Sequence, residues 1–141
     1  MKKFEDSFYE KIFFLGSLWN VGIGLIGLLF YNFAISFCFG SLRGADNLIT
    51  KVFFKFFMVA VLLFGFGYYL VSKELTLNRG IVWLGIAGKL IIWTTFTFLF
   101  FTNRATILGF LGASGDFFWS LIFIYFLWQT KDNNKINNII G

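Results

Sequence analysis

Four long apolar segments, separated by short charged stretches, dominate the hydrophobic pattern of this chain. The first is the clearest, because no charged residue interrupts the run from Ile12 to Leu42. That run exceeds the ~20 residues that a helix needs to cross the hydrocarbon core of a bilayer. It predicts a first helix over residues 12–37. The acidic residues before it and its length argue against a cleaved signal peptide.

The second segment runs from Phe56 to Ser72 and is slightly short for a membrane span. Starting it near Val52 gives it the required length, because the flanking lysines can extend their charged ends to the membrane interface. The pattern therefore predicts a second helix over residues 52–72.

Single charges divide the third and fourth segments, Lys89 in one and Asp116 in the other. Residues 81–101 contain twelve Leu, Ile, Val or Phe residues, which favour insertion by roughly 5 kcal/mol against about 3 kcal/mol for a central Lys. Residues 107–128 also contain twelve such residues, so insertion is again favoured in spite of the cost of Asp116. Both segments are therefore predicted to be membrane-spanning helices.

The segments are apolar on every side, which favours helices over the alternating strands of a membrane barrel. There is no Pro to break them, and the later connections, about nine and five residues long, join antiparallel neighbours. The predicted fold class is all-α, an integral membrane bundle of four transmembrane helices in up-down antiparallel order. The whole chain, residues 1–141, is predicted to be one domain with a flexible tail over residues 129–141.

Positive charges in the connecting segments predict the orientation of the bundle. Because cytoplasmic loops carry an excess of Lys and Arg, the richer side marks the cytoplasm, and that side holds both chain ends. This predicts cytoplasmic N and C termini. The net charge of +5 needs no nucleic-acid partner, since topology and anionic lipid explain it. The other side has three or four positive residues. The richer side has seven, which are Lys2, Lys3, Lys11, Lys73, Arg79, Lys131 and Lys135.

Composition narrows the chemistry further. Hydrophobic residues make up 58% of the chain and charged residues 13%, a balance that a soluble domain of this length could not bury. Cys38 is the one cysteine and histidine is absent, which excludes an intramolecular disulfide, the common zinc and haem sites and standard Ser/His or Cys/His catalysis. We predict no metal, no cofactor and no catalytic residue, and an enzymatic role is left open with no motif in its favour.

Polar residues inside the spans are the candidates for function, because such residues face the bundle interior or a water-filled cavity. At 1.5 Å per residue, Lys89 lies about 12 Å and Asp116 about 18 Å below the cytoplasmic edge. Asn20 of the first helix lies at the depth of Lys89. A lysine side chain covers the difference, so we expect Lys89 and Asp116 to form an ion pair with Asn20 nearby.

Helical spacing extends this inward face to aromatic neighbours. Gly85, Lys89 and Trp93 recur every four residues, and Asp116 and Trp119 are three apart. In the second helix, the corresponding face includes Tyr69 together with small residues. The predicted ligand-binding or ion-pair residues are therefore Lys89, Asp116, Asn20, Tyr69, Trp93 and Trp119.

Two roles remain open for this face. In one, the bundle binds or transports a small lipophilic or ionic ligand, and the Lys89 and Asp116 pair couples to its occupancy. In the other, the chain is a non-catalytic accessory subunit. Its glycines then let the helices pack closely, and the pair only links neighbouring helices. The expected partners are the lipid bilayer, such a ligand, and either a second copy of the chain or another membrane subunit.

The layout resembles a family of small bacterial inner-membrane proteins. The chain has a glycine-rich first helix with Asn20, "GKL" around Lys89 in the third helix, and "GD" followed by aromatics from Asp116 in the fourth. In these features, which cover most of the chain, it is similar to the DoxX-like group. The resemblance implies a small four-span bundle located in a bacterial inner membrane, and the group has no single agreed activity to carry over.

Overall fold

The computed structural model describes residues 2–40 and 47–130, with side chains from residue 6 onward. This part of the chain is all-helical, and four of its helices contain segments long and apolar enough to cross a membrane. That part of the predicted fold class is confirmed. The five helices are α1 (Lys2–Leu29), α2 (Tyr31–Phe39), α3 (Leu48–Lys73), α4 (Arg79–Phe101) and α5 (Ile107–Gln129).

The first helix differs from the predicted single element over residues 12–37. It starts at Lys2, ten residues earlier, and it bends at Phe30, where φ is −122° and ψ is 55°. The Phe30 amide still donates to the Ile26 carbonyl at 2.8 Å, so the chain changes direction without losing this hydrogen bond. The early start follows from packing, because Tyr9, which precedes the apolar run, is buried in the core.

The other helices lie within four residues of their predicted bounds of 52–72, 81–101 and 107–128. Side-chain caps fix two starts: Asn47 accepts from the Thr50 amide at 2.8 Å, and Thr106 accepts from the Gly109 amide at 3.0 Å. The predicted tail begins at Gln129, which is still helical. Residues 131–141 of that tail, and residues 41–46 of the predicted first loop, lie outside the described residues.

The α1 and α3 helices pack closely and run antiparallel. Gly24 of α1 faces Leu62 of α3, whereas Gly65 of α3 faces Ser17 and Val21 of α1, so the sequence order reverses across the contact. A Cβ atom added at Gly65 would lie 2.8 Å from a methyl carbon of Val21. Glycine is therefore needed at this contact for the backbones to approach, as in helix packing within lipid.

Aromatic contacts join α5 to both of its neighbours. Trp93 of α4 stacks on Phe117 of α5 with a ring-centroid separation of 4.5 Å. On the other side, Phe13 of α1 stacks on Phe123 of α5 at 4.9 Å. Since α3 and α4 also meet near their connecting turn, where Gly67 faces Ile81, the long helices form a ring in the order α1, α3, α4, α5.

The described chain ends meet at the same end of this ring, and the core fills that end. The Tyr9 hydroxyl of α1 donates to the side chain of Gln129 at the end of α5. Arg79 donates to the Leu127 carbonyl at 3.1 Å and so caps the last turn of α5. The buried core residues at this end are Tyr9, Phe13, Tyr68, Val71, Val82, Ile86, Phe123, Phe126 and Leu127.

The outer surface of the ring is apolar. In each of the four long helices, no more than 33% of the most apolar 18-residue stretch is buried inside the protein. Large side chains on all four long helices point outward, among them Leu63, Ile91 and Phe118, each about two-thirds exposed. A continuous apolar surface of this kind marks contact with lipid or with another protein rather than with water.

Candidate ligand-binding cavity

Lys89 is the centre of a polar cluster that joins three helices. Its ammonium nitrogen lies 2.6 Å from a carboxylate oxygen of Asp116 on α5 and 3.0 Å from the side-chain oxygen of Asn20 on α1. Lys89 and Asn20 are buried, and the Asp116 side chain is 17% exposed. The structure thus brings together the three polar residues that the sequence places at similar depth.

The local sequence explains how these groups reach one another. Gly85 lies one turn before Lys89 on the same face of α4, and its missing side chain leaves room for the ring of Tyr68 from α3. A Cβ atom at Gly85 would come within 2.4 Å of the Tyr68 hydroxyl oxygen. The Lys89 ammonium lies 5.6 Å from the centre of the Tyr68 ring, within the range of a cation–π interaction. Tyr68 is therefore the fourth member of the polar cluster.

A cavity of about 730 Å³ lies beside this cluster. It occupies the half of the ring that is farther from the chain ends, because α1 contributes residues from Trp19 onward and α5 contributes residues up to Asp116. Its walls are almost entirely apolar, with side chains of α2 covering part of them. Asn20, Tyr68, Lys89 and Asp116 all line it, so the polar cluster separates the cavity from the packed core.

The cavity reaches the outer surface between α3 and α4. Its lining on α4 runs from Lys89 through Ile92 and Gly88 to Ile91. At 100° per residue, Ile91 lies about 160° around the helix from Lys89, turned away from the Trp93 side that packs on α5. Ile91 is also 64% exposed. The cavity therefore opens sideways, on the apolar outer surface of the ring.

Several hydrogen-bonding groups of the polar cluster have no partner within residues 2–40 and 47–130. These are the Tyr68 hydroxyl, the amide nitrogen of Asn20, the second carboxylate oxygen of Asp116 and one of the three N–H groups of Lys89. Every fully enclosed side-chain nitrogen or oxygen in this part of the chain has a partner. The Tyr68 hydroxyl oxygen, the Asn20 amide nitrogen and the second Asp116 oxygen are therefore not fully enclosed, and all three residues line the cavity.

Three other predicted site residues lie outside the cavity lining. Tyr69 is 37% exposed, and its ring contacts Phe66 and the Lys73 ammonium on the outer surface. Trp93 packs on α5, and Trp119 packs over Gly16 of α1. Trp93 and Trp119 support the contacts between helices, whereas Tyr68 takes the position that the sequence pattern indicates for Tyr69.

Helical spacing could not separate the two tyrosines. Tyr68 and Tyr69 are 100° apart around α3, and each falls one turn after the buried Gly65 and one turn before the buried Ser72. Which of the two tyrosines faces inward depends on the rotation of α3 against α1. Gly65 decides that rotation by packing against the Ser17 backbone. No sequence signal revealed that rotation.

The α2 helix forms part of the cavity wall and is attached to the start of α5. The Thr106 amide donates to the Cys38 carbonyl at 2.9 Å, and the Thr106 hydroxyl donates to the Phe37 carbonyl. Gly109 makes this contact possible, since a Cβ atom there would lie 2.7 Å from the Cys38 carbonyl oxygen. The bend at Phe30 thus positions α2 across the cavity.

Within the described residues, no group of three or more His, Cys, Asp or Glu side chains could hold a metal ion. The cavity itself offers hydrogen bonding and charge from the polar cluster, together with apolar and aromatic contact. Comparison with protein-family models, with curated proteins and with solved structures finds no match to this chain.

Proposed function

We propose that this chain is a multi-pass protein of a bacterial inner membrane, with both chain ends in the cytoplasm, that binds or moves a small ligand through the cavity. The observation that carries the proposal is the position of the buried Lys89 and Asp116 pair on the cavity wall. Charged residues inside a membrane are expensive and mark ligand or ion pathways. A volume of about 730 Å³ is within the range of small-molecule sites.

Apolar surroundings support a lipophilic ligand over a soluble one. Apart from the polar cluster, the cavity is lined by Trp, Phe, Ile, Val, Met and small residues, and it opens sideways beside Ile91. A ligand dissolved in the bilayer reaches such an opening without crossing water. The DoxX-like resemblance remains a proposal that rests on the helix layout and on Lys89 and Asp116.

Native mass spectrometry of the detergent-purified protein tests this function. The parent protein is expected to retain a small molecule, and Gly88→Phe, which adds bulk at the lateral opening, is expected to lose it. Ala87→Phe is the matched control, because Ala87 is the exposed neighbour on the same helix and does not line the cavity. Equal retention by both variants, or none by the parent at saturating added lipid extract, would contradict the proposal.

Asp116→Asn provides a second variant of nearly unchanged shape. It removes the negative charge beside Lys89, so retention of the ligand should fall while the protein still inserts in the membrane. Size-exclusion chromatography reports whether the variant remains folded. A folded variant with full retention would show that the pair has no part in binding.

The accessory-subunit alternative has one observation in its favour. Lys89 binds residues on two other helices, Asn20 of α1 and Asp116 of α5, which is the arrangement expected of a group that fixes helix register. In that case the polar cluster is structural, and partner contacts with another subunit or a second copy occur on the apolar outer surface. Retention of a protein partner and no small molecule would favour this alternative.

A further inference from the structure

The unpaired groups of the polar cluster indicate the chemistry of the ligand. Donors predominate among them, with the Tyr68 hydroxyl, the Asn20 amide and the remaining N–H of Lys89, while Asp116 offers one acceptor oxygen. Tyr68 is the strongest indication, because its side chain is only 1% exposed and a buried hydroxyl normally has a partner. A ligand oxygen that accepts hydrogen bonds satisfies this set.

Charge balance favours an uncharged head group. Lys89 and Asp116 neutralise each other at 2.6 Å, and Tyr68 and Asn20 are neutral. An anionic head would compete with Asp116 for Lys89, and a cationic head would compete with Lys89 for Asp116. Either competition leaves one buried charge without its partner, which is strongly unfavourable. A hydroxyl or carbonyl head binds the unpaired donors and leaves the ion pair intact.

Size and shape limit the apolar part. At roughly 30 Å³ for a water-sized group, the cavity of about 730 Å³ holds about two dozen non-hydrogen atoms. One lipid chain or a fused-ring body fits this volume, whereas a two-chain phospholipid does not. The opening between α3 and α4 lets such a body enter from the bilayer with its head toward the polar cluster.

We propose that the cavity binds a single-chain or ring lipid with an uncharged hydroxyl or carbonyl head, which accepts hydrogen bonds from Tyr68 and Asn20. This inference rests on the proposed function and adds the ligand class to it. It assigns the specificity for the head group to Tyr68, one residue away from an outward-facing tyrosine that provides a built-in control.

Photolabelling in detergent micelles with a diazirine-bearing hexadecanol tests the ligand class. Saturable labelling is expected on peptides of α3 and α4 that line the opening, and the competitors are hexadecanol, palmitate and hexadecylamine at equal mole fraction. Hexadecanol is expected to compete at least about tenfold better than either charged analogue, the ratio that corresponds to 1.4 kcal/mol. A two-chain phosphatidylcholine should not compete.

Tyr68→Phe tests the head-group contact. It removes only the hydroxyl, so hexadecanol affinity is expected to fall about five- to tenfold, as for one lost hydrogen bond, while the labelled peptides stay the same. Tyr69→Phe is the control and should leave affinity unchanged. Methyl palmitate, which keeps a carbonyl acceptor but lacks a charge, should compete like hexadecanol.

The outcomes separate this inference from the function beneath it. If palmitate or hexadecylamine competes best, the cavity binds ligands but the neutral-head assignment is wrong. If Tyr68→Phe has no effect, the assignment of the head-group contact to Tyr68 is wrong. If labelling by every probe is unsaturable and Gly88→Phe does not reduce it, the ligand-binding function itself is wrong.

Discussion

The Lys89 ammonium and the Asp116 carboxylate lie 2.6 Å apart on neighbouring antiparallel helices, with side chains 6% and 17% exposed. The same ammonium also binds Asn20, 69 residues away in sequence. An ion pair of this kind can have either of two roles, as part of a ligand site or as a link between helices. Measurements of stability and ligand retention on single and double variants distinguish them.

Removing one member of the pair is expected to destabilise the bundle more than removing both. Lys89→Met or Asp116→Leu alone leaves a buried charge unpaired, at a cost of about 3–5 kcal/mol. The double variant should return to near the parent stability, because apolar replacements of a buried pair are often neutral. Denaturant titration of the detergent-solubilised protein measures the differences.

The same three variants also address function. If the double variant is stable but no longer retains a ligand, the pair belongs to the site; if it is stable and retains the ligand, the pair is a link between helices. Parent-like stability in both single variants would show that the ion pair contributes little to the stability of the bundle.

The close approach of α1 and α3 predicts opposite behaviour for two glycines. Gly65→Ala places a Cβ atom 3.1 and 3.2 Å from backbone atoms of Val21 and Ser17, so the helices must separate, at about 1–3 kcal/mol. Gly22→Ala is the control on α1, where an added Cβ atom meets nothing within 4 Å. Thermal unfolding should show a lower midpoint for Gly65→Ala and an unchanged or higher one for Gly22→Ala.

Attachment of α2 to α5 predicts a change in the reactivity of Cys38. Gly109→Ala would bring a Cβ atom within 2.9 Å of the Cys38 Cα atom and should displace α2 from the start of α5. Because Cys38 is the one cysteine, maleimide labelling reports this displacement directly, and its rate should rise severalfold. Gly112→Ala is the control, with ordinary contact of 3.7 Å to Phe37. Equal rates in both variants would show that Gly109 does not set the position of α2.

The proposed orientation predicts which turns an impermeant maleimide reaches in intact cells. In a Cys38→Ser background, Thr76→Cys marks the turn between α3 and α4, and Thr102→Cys marks the turn between α4 and α5; both positions are exposed. With cytoplasmic chain ends, Thr102→Cys should react in intact cells and Thr76→Cys only after lysis. The reverse pattern would overturn the positive-inside assignment.

The sequence predicted the four apolar helices closely, because the requirement for each is local. A span needs about 20 apolar residues, and the runs around Lys89 and Asp116 meet that requirement even with one charge in each. The cap at Asn47 is local chemistry as well, but the predicted start near Val52 did not use it and fell four residues late. The start of α1 was missed because Tyr9 lies before the apolar run and is helical through its contacts with α5.

Depth along each helix also follows from the sequence, since the rise per residue is constant. It placed Asn20, Lys89 and Asp116 within reach of one another, and the structure brings these three together. Depth alone does not establish which face of a helix points inward. That is why Tyr69 was selected in place of Tyr68, and why Trp93 and Trp119 were included although they pack between helices.

The apolar pattern and the rise of a helix thus determined, from the sequence alone, the helical class, the four long apolar helices and the level of the polar residues along them. The tertiary structure decided the bend at Phe30, the rotation of α3 that turns Tyr68 inward, and the cavity itself. These features depend on contacts between residues far apart in the chain, such as Gly65 with Ser17 and Gly109 with Cys38. A helix that is apolar on every face can contact lipid or protein equally well. Only packing therefore selects which of its faces turns inward.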